Sequence, residues 1–250
     1  MTDQGKGVAY GFAAYGLWGL FPIYFILFER SDALEVVAHR ALWSLVFCAI
    51  LLTVLRQWGS LRTVLADRRT TASLAVAGIL IVVNWSTYVF AVLAGHTLET
   101  ALGYFINPLA VAALGIIFLG ERLRPMQKAA VGFGVASVAV MVIAYGQVPW
   151  VALVLALSFG TYSLVKKVAG RSVGAVAGLA VETGAVAPLA LGFIAYLAIT
   201  GQSTATGGYG ALLTTTGIVT AIPLLLFAAA ARRVSMVTIA ILQYIAPIGQ

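Results

Sequence analysis

An all-α membrane protein, a multi-spanning helical bundle, is the fold class that three features of the sequence predict. Hydrophobic residues make up 62% of the chain and charged residues only 9%, against about 25% charged in a soluble domain that must face water. The apolar residues form continuous runs, each long enough for a span of about 17–25 residues, with most of the charges between them. Those runs do not alternate, which excludes the segments of about ten residues expected of a membrane β-barrel.

Taken in order, eight complete spans run over Gly7–Phe28, Ala33–Leu55, Thr71–Leu93, Thr100–Leu119, Ala129–Tyr145, Trp150–Val165, Val173–Ile199 and Ala211–Ala231. A ninth begins near Val234 and is still apolar at Gln250. The first run exceeds the apolar core of a signal peptide and ends without a small-residue cleavage pattern, so it is expected to stay as the first membrane helix. The net charge of +7 sits mainly in short connections, which points to membrane topology and not to a nucleic-acid partner. With the N-terminus in the cytoplasm, the inner set is Lys6, Arg56, Arg62, Arg68, Arg69, Arg122, Arg124, Lys128, Lys166, Lys167, Arg171, Arg232 and Arg233. Those are 13 of the 15 basic residues, leaving only Arg30 and Arg40 toward the outside, and such a bias sets orientation. The expected location is the cytoplasmic (inner) membrane, multi-pass. Cys48, the lone cysteine, excludes an intrachain disulfide and a cysteine-based metal motif.

The two halves echo each other. Gly78-Ile79 recurs as Gly217-Ile218, and Tyr104-Phe105-Ile106-Asn107-Pro108 as Gln243-Tyr244-Ile245-Ala246-Pro247, both at a separation of 139 residues. Near the starts, Leu17-Trp18-Gly19 lies over Ser158-Phe159-Gly160 at a separation of 141. Five helices per copy is odd, so the second copy inserts upside down, and inverted repeats place a shared cavity near the bilayer midplane. The first repeat is expected over 7–145. The second, over 150–250, is expected to be truncated, with three full helices and part of a fourth.

The run Ala101-Leu102-Gly103-Tyr104-Phe105-Ile106-Asn107-Pro108, ending in Leu119-Gly120-Glu121-Arg122-Leu123, resembles the EamA-type transporters of the drug/metabolite transporter superfamily, and within them the RarD branch. Ala38-His39-Arg40-Ala41-Leu42-Trp43-Ser44, Asn84-Trp85 and Gln243-Tyr244-Ile245-Ala246-Pro247 support the resemblance. It implies a ten-helix permease fold built from two five-helix repeats, and membrane transport of a small molecule.

Ionisable residues inside a span cost about 2.5–3.5 kcal/mol on insertion scales and suggest function. Arg40 and Glu182 lie at roughly corresponding places in the two repeats, 142 residues apart. One reading makes Arg40 an anchor for an anionic substrate group and Glu182 a proton or cation carrier; the other makes them a fixed ion pair locking two helices. His39 is a weaker candidate, with a packing role equally open. Asn84 either bonds substrate or ties its helix to a neighbour. Prolines 22, 108, 223 and 247 free a carbonyl one turn earlier, and Pro22, Pro108, Pro223 and Pro247 are therefore expected helix breaks. Asn107 and Gln243, each beside such a proline, are candidate cavity residues. Trp18, Tyr24, Trp43 and Tyr104 are a candidate aromatic lining, while Trp58, Trp150 and Tyr209 fit interfacial anchors. Gly7-x-x-x-Gly11 and Gly174-x-x-x-Gly178 fit close helix packing, and Glu121 fits a helix cap.

No H-E-x-x-H, G-x-S-x-G or P-loop motif occurs, so an enzyme, a cofactor and a metal are not expected. The expected function is a secondary transporter of a small organic solute or drug-like metabolite, working by alternating access. The other class is a non-transport membrane protein such as a lipid scramblase or assembly factor on the same fold. Expected partners are a small-molecule substrate and the lipid bilayer, without nucleic acid; a homodimer is allowed. Reporter fusions in Arg56–Arg69 and in Lys166–Arg171 should report the same, cytoplasmic, face; opposite faces would remove the inverted-repeat topology.

Overall fold

A computed structural model describes residues 2–170 and 172–248, so Arg171 lies outside the described residues. The described chain is a bundle of helices, α1 (Asp3–Gly19), α2 (Phe21–Phe25), a 3₁₀ turn (Ile26–Phe28), α3 (Ala33–Val54), α4 (Trp58–Ala66), α5 (Arg68–Leu93) and α6 (Thr97–Leu119). These are followed by α7 (Pro125–Tyr145), α8 (Trp150–Ala169), α9 (Ala175–Ile199), α10 (Gly207–Ala231), α11 (Met236–Gln243) and α12 (Ile245–Ile248). Among the described residues, seven helices are long and apolar enough to cross a membrane, or eight when α1 and the α2–3₁₀ segment, bent by 41°, count as one span.

Several helices extend beyond the expected spans: α1 begins at Asp3, α7 at Pro125 and α10 at Gly207, each four residues early, and α8 ends four residues late. α8 continues past Val165, so Lys166 and Lys167 are helical and not in a loop. Lys166 is 4% exposed; the reason is a carboxylate partner on α9, described below. The segment after α3 carries its own short helix, α4, which packs on α5 and α9.

Two of the four prolines lie at interruptions. Pro22 sits in the first turn of α2, at the bend, and the helical segment after Ser235 is interrupted at Tyr244, just before α12 with Pro247. Pro108 and Pro223 do not break their helices, which run through them. A proline removes one hydrogen bond and crowds one carbonyl, and α6 and α10 are gripped along their length by neighbours on two sides.

The packing obeys one exchange rule. α1 lies on α10 as α8 lies on α5, α3 lies on α10 as α9 lies on α5, and α6 lies on α8 as α11 and α12 lie on α1. The crossings of α3 with α9 and of α6 with α11 map onto themselves. Two glycines make the closest approaches. A Cβ at Gly78 would overlap the carbonyl oxygen of Glu182, and one at Gly217 would overlap the carbonyl carbon of Trp43. Gly78 and Gly217 are 139 residues apart, and so are Trp43 and Glu182. The residue in register with Glu182 is therefore Trp43, which corrects the alignment of Glu182 with Arg40. Gly7 and Gly11 likewise pack closely, on Arg233 and Leu242, whereas Gly174 meets only the Ser60 hydroxyl at 3.9 Å and is not a packing glycine.

α7 stands apart from the core. It packs on α6, buries no residue, and exposes Phe133 and Ile143, which suits an apolar helix solvated by lipid. Replacing Gly78 or Gly217 by Ala should destabilise the protein by about 2 kcal/mol or more, since backbone must move. Gly132→Ala, where no atom lies within 4 Å, should leave stability in detergent unchanged; equal effects at all three would remove the crossing argument.

Candidate functional site

The site begins with a bend. Because α1 turns at Leu20 into the α2–3₁₀ segment, Phe21, Pro22, Phe25 and Phe28 swing away from a straight path and wall one side of a cavity of about 360 Å³. α3 adds Val36, Val37 and Arg40, α5 adds Asn84, Trp85 and Tyr88, and α6 adds Thr100, Gly103, Tyr104 and Asn107. Leu155 and Phe159 of α8 enter from the other half, with Gln243 of α11 and Ala246 of α12. Ser31, in the connection between the 3₁₀ turn and α3, and Thr100, in the first turn of α6, both mark the same end of the bundle.

Six of the sequence candidates line this one space: Trp18, Arg40, Asn84, Tyr104, Asn107 and Gln243, together with Pro22. Arg40 is 9% exposed. Its Nε donates to Thr220 Oγ1 at 2.9 Å, and its guanidinium carbon lies 4.1 Å from the ring centre of Trp85, 5.0 Å from Phe25 and 5.7 Å from Phe21. Aromatic faces attract a cation without neutralising it. Asn84 ties α5 to α8, its amide donating to the Leu155 carbonyl at 2.9 Å and to Ser158 Oγ at 3.0 Å, and it also lines the cavity.

Glu182 and His39 are not cavity residues. The Arg40–Glu182 pair does not form; Glu182 Oε1 accepts from Lys166 Nζ at 2.6 Å and Oε2 from the Tyr162 hydroxyl at 3.4 Å. The sequence reading missed Lys166 because it was counted among the loop cations; its spacing from Glu182 across the short α8–α9 connection was the available signal. His39 lies one residue, about 100°, around α3 from Arg40, and its Nδ1 accepts from Trp43 Nε1 at 3.2 Å. Trp43 and Tyr24 also fall outside the lining: Trp43 underlies Gly217, and the Tyr24 hydroxyl bonds Thr215 at 2.6 Å. Of the proposed anchors, Trp58 and Trp150 are exposed near helix ends, but Tyr209 packs on Phe28 and bonds Ser31.

The cavity floor is aromatic. Tyr15, Trp18 and Phe159 line it and interlock with Phe227, each with ring centres 5.8–6.2 Å from that ring. Tyr162 stacks on Phe227 at 5.9 Å and reaches Glu182. A continuous path of packed groups therefore joins the cavity floor to the buried Lys166–Glu182 pair.

Three further carboxylates tie helix ends, and sequence reasoning named only one. Glu121 accepts from the backbone N–H of Met236 and of Val237, so it caps α11 and not its own helix. Glu99 accepts from the Val151 N–H and the Tyr145 hydroxyl, and Glu35 from the Thr204 N–H and two hydroxyls of the 203–204 segment. Backbone N–H groups at helix starts and in connections have no intrahelical acceptor, and these carboxylates supply one.

Residues 5–143 match the EamA-like transporter family. The chain belongs to that family. Along its whole length it is 45% identical to protein RarD of Streptomyces exfoliatus, over 252 residues covering 100% of this chain and 79% of the relative. It is 44% identical to the uncharacterized transporter YojE of Bacillus subtilis, covering 98% and 83%, and 33% identical to the chloramphenicol-sensitive protein RarD of Pseudomonas aeruginosa, covering 99% and 84%. This EamA protein is thus RarD-like. A protein of known crystal structure shares its fold at a TM-score of 0.72 with 19% identity, over 98% of this chain and 85% of the other.

Removing one member of the buried pair in this EamA protein leaves an uncompensated charge, which costs about 3–5 kcal/mol. Lys166→Met and Glu182→Gln should each lower stability by that order, and the double variant should recover most of it. Additive losses in a double-mutant cycle would show that the two groups do not interact.

Proposed function

We propose that this RarD-like protein is a secondary transporter, not an enzyme, and that it moves a small organic solute across the cytoplasmic membrane by alternating access. The observation that carries this reading is one cavity at the meeting of the two halves, lined from α1 to α6 on one side and from α8, α11 and α12 on the other. The exchange of packing partners supports a division into two repeats of opposite orientation, five helices over 7–145 and three full helices with part of a fourth over 150–250. With the N-terminus in the cytoplasm, the Ser31 and Thr100 end of the cavity faces outward. The inner end is then sealed by the aromatic cluster and, beyond it, the Lys166–Glu182 pair.

Opening toward the cytoplasm requires that plug to part. Tyr15 and Trp18 are on α1, Phe159 and Tyr162 on α8, and Phe227 on α10, so rocking of the halves separates the rings along a helix boundary and not within a helix. Energy for accumulation comes from a solute or proton gradient. The names of the relatives include transporters, which agrees with this reading.

Comparing metabolite pools of cells that lack and cells that overexpress the protein tests it. At least one small organic solute should shift between medium and cytoplasm, and Asn107→Leu should reduce the shift about tenfold at equal protein level, as expected for loss of a buried polar contact to solute. Unmoved pools, or movement indifferent to Asn107, would overturn the proposal; fluorescent-lipid flipping in its place would favour a scramblase.

A further inference from the structure

The cavity carries an electrical and hydrogen-bonding signature of its own. Among the described residues that line it, Arg40 alone is charged. No described carboxylate pairs with it. The buried acids of the bundle are otherwise engaged: Glu35 with Ser203 and Thr204, Glu99 with Tyr145 and the Val151 N–H, and Glu182 with Lys166. The Arg40 guanidinium is held by Thr220 through Nε and surrounded by aromatic rings. That environment orients the group on the cavity wall yet leaves its charge unbalanced beside apolar rings, where the attraction for an anion is stronger than in bulk water.

A second observation is independent of the first. The side-chain oxygens of Asn107 and Gln243 are buried, at residues 7% and 5% exposed, and neither has a hydrogen-bond partner. Both residues line the same cavity, from α6 and α11 respectively. A carbonyl oxygen only accepts, and leaving it unpaired when buried carries a free-energy cost. Both oxygens are turned away from the open space as they stand, and rotation of each amide about its last torsion would bring it to a donor on whatever fills the cavity. The remaining wall is mostly aromatic and aliphatic, and its volume of about 360 Å³ lies at the small end of ligand pockets.

We propose that the ligand of this cavity is a small organic anion with an aromatic body and a hydrogen-bond donor: Arg40 holds the anionic group, and the oxygens of Asn107 and Gln243 take the donor. The proposal rests on the transporter reading only in treating the cavity as a solute site. Neutral and cationic drugs of the same size are disfavoured, because they leave Arg40 uncompensated or add a like charge to the wall.

Isothermal titration of the full chain in detergent tests the class with four probes: 4-hydroxyphenylacetate, phenylacetate, methyl 4-hydroxyphenylacetate and tyramine. The first should bind at least about tenfold tighter than the neutral ester and the cationic amine, as expected for a charged hydrogen bond. It should also bind more tightly than phenylacetate, which lacks the donor. Arg40→Gln should erase the preference for acid over ester, and Arg40→Lys should retain part of it. Equal or tighter binding of the ester or amine, or no binding of any probe, overturns the proposal, and the wild-type order decides even if the Arg40 variants fail to fold. Counterflow in proteoliposomes separates the two readings: binding in the expected order without flux sinks the transporter and leaves the ligand class. Flux of a solute with no preference for acids sinks the ligand class and leaves the transporter.

Discussion

Two backbone-on-backbone crossings organise the molecule. Where α5 crosses α9, Gly78 lies against the backbone of Glu182, and where α10 crosses α3, Gly217 lies against that of Trp43. Lipid tails are as apolar as leucine, so helices in a bilayer associate through close packing and interhelical hydrogen bonds, and small residues allow the approach. With the axes pressed together at those points, each neighbouring side chain has only one rotation about its helix. Arg40, one turn before Ser44, then reaches Thr220 on α10, and Ser44 itself donates to the Gly217 carbonyl at 3.1 Å. Glu182, at the other crossing, is turned toward Tyr162 and Lys166 on α8.

The charged groups are thereby sorted into two compartments. Lys166 and Glu182 satisfy each other in a dry interior below the aromatic cluster, where a matched pair suits helix register. Arg40 stands above that cluster on the wall of an open cavity. Desolvation is tolerated in both places for different reasons: the pair has its own counterion, whereas the lone guanidinium has rings, one hydroxyl and access to the cavity. The interlocked rings of Tyr15, Trp18, Phe159, Tyr162 and Phe227 are the boundary between the two.

Helix ends follow the same economy of polar groups. Glu35, Glu99 and Glu121 each accept hydrogen bonds from the start of a helix or a connection remote in sequence. Such contacts hold connections against the bundle in a region where lipid headgroups and water compete for the same donors. They also place most of the acids of the spans in structural roles, which is why the cavity is left with a net positive wall.

Hydropathy and charge placement by themselves determined the class of the molecule, since runs of about twenty apolar residues can only be solvated by lipid, and the motif around Tyr104–Pro108 pointed to the family. Trp18, Arg40, Asn84, Tyr104, Asn107 and Gln243 were legible as cavity residues because polar and aromatic groups inside a span, beside prolines or repeat matches, are costly unless used. Only the tertiary structure decided the partnerships. Arg40 and Glu182 look equivalent when repeats are aligned by residue type, but a shift of three residues turns a helix by about 300°, and the glycine crossings set that shift to a separation of 139 and not 142. Hydropathy ends the sixth span at Val165 and so leaves Lys166 among the loop cations, whereas the carboxylate that draws it into the interior belongs to the next helix. Pro22 marked the bend beside Leu20 in the sequence, but that the bend brings Phe21 and Phe25 to the guanidinium depends on neighbours that hydropathy does not encode.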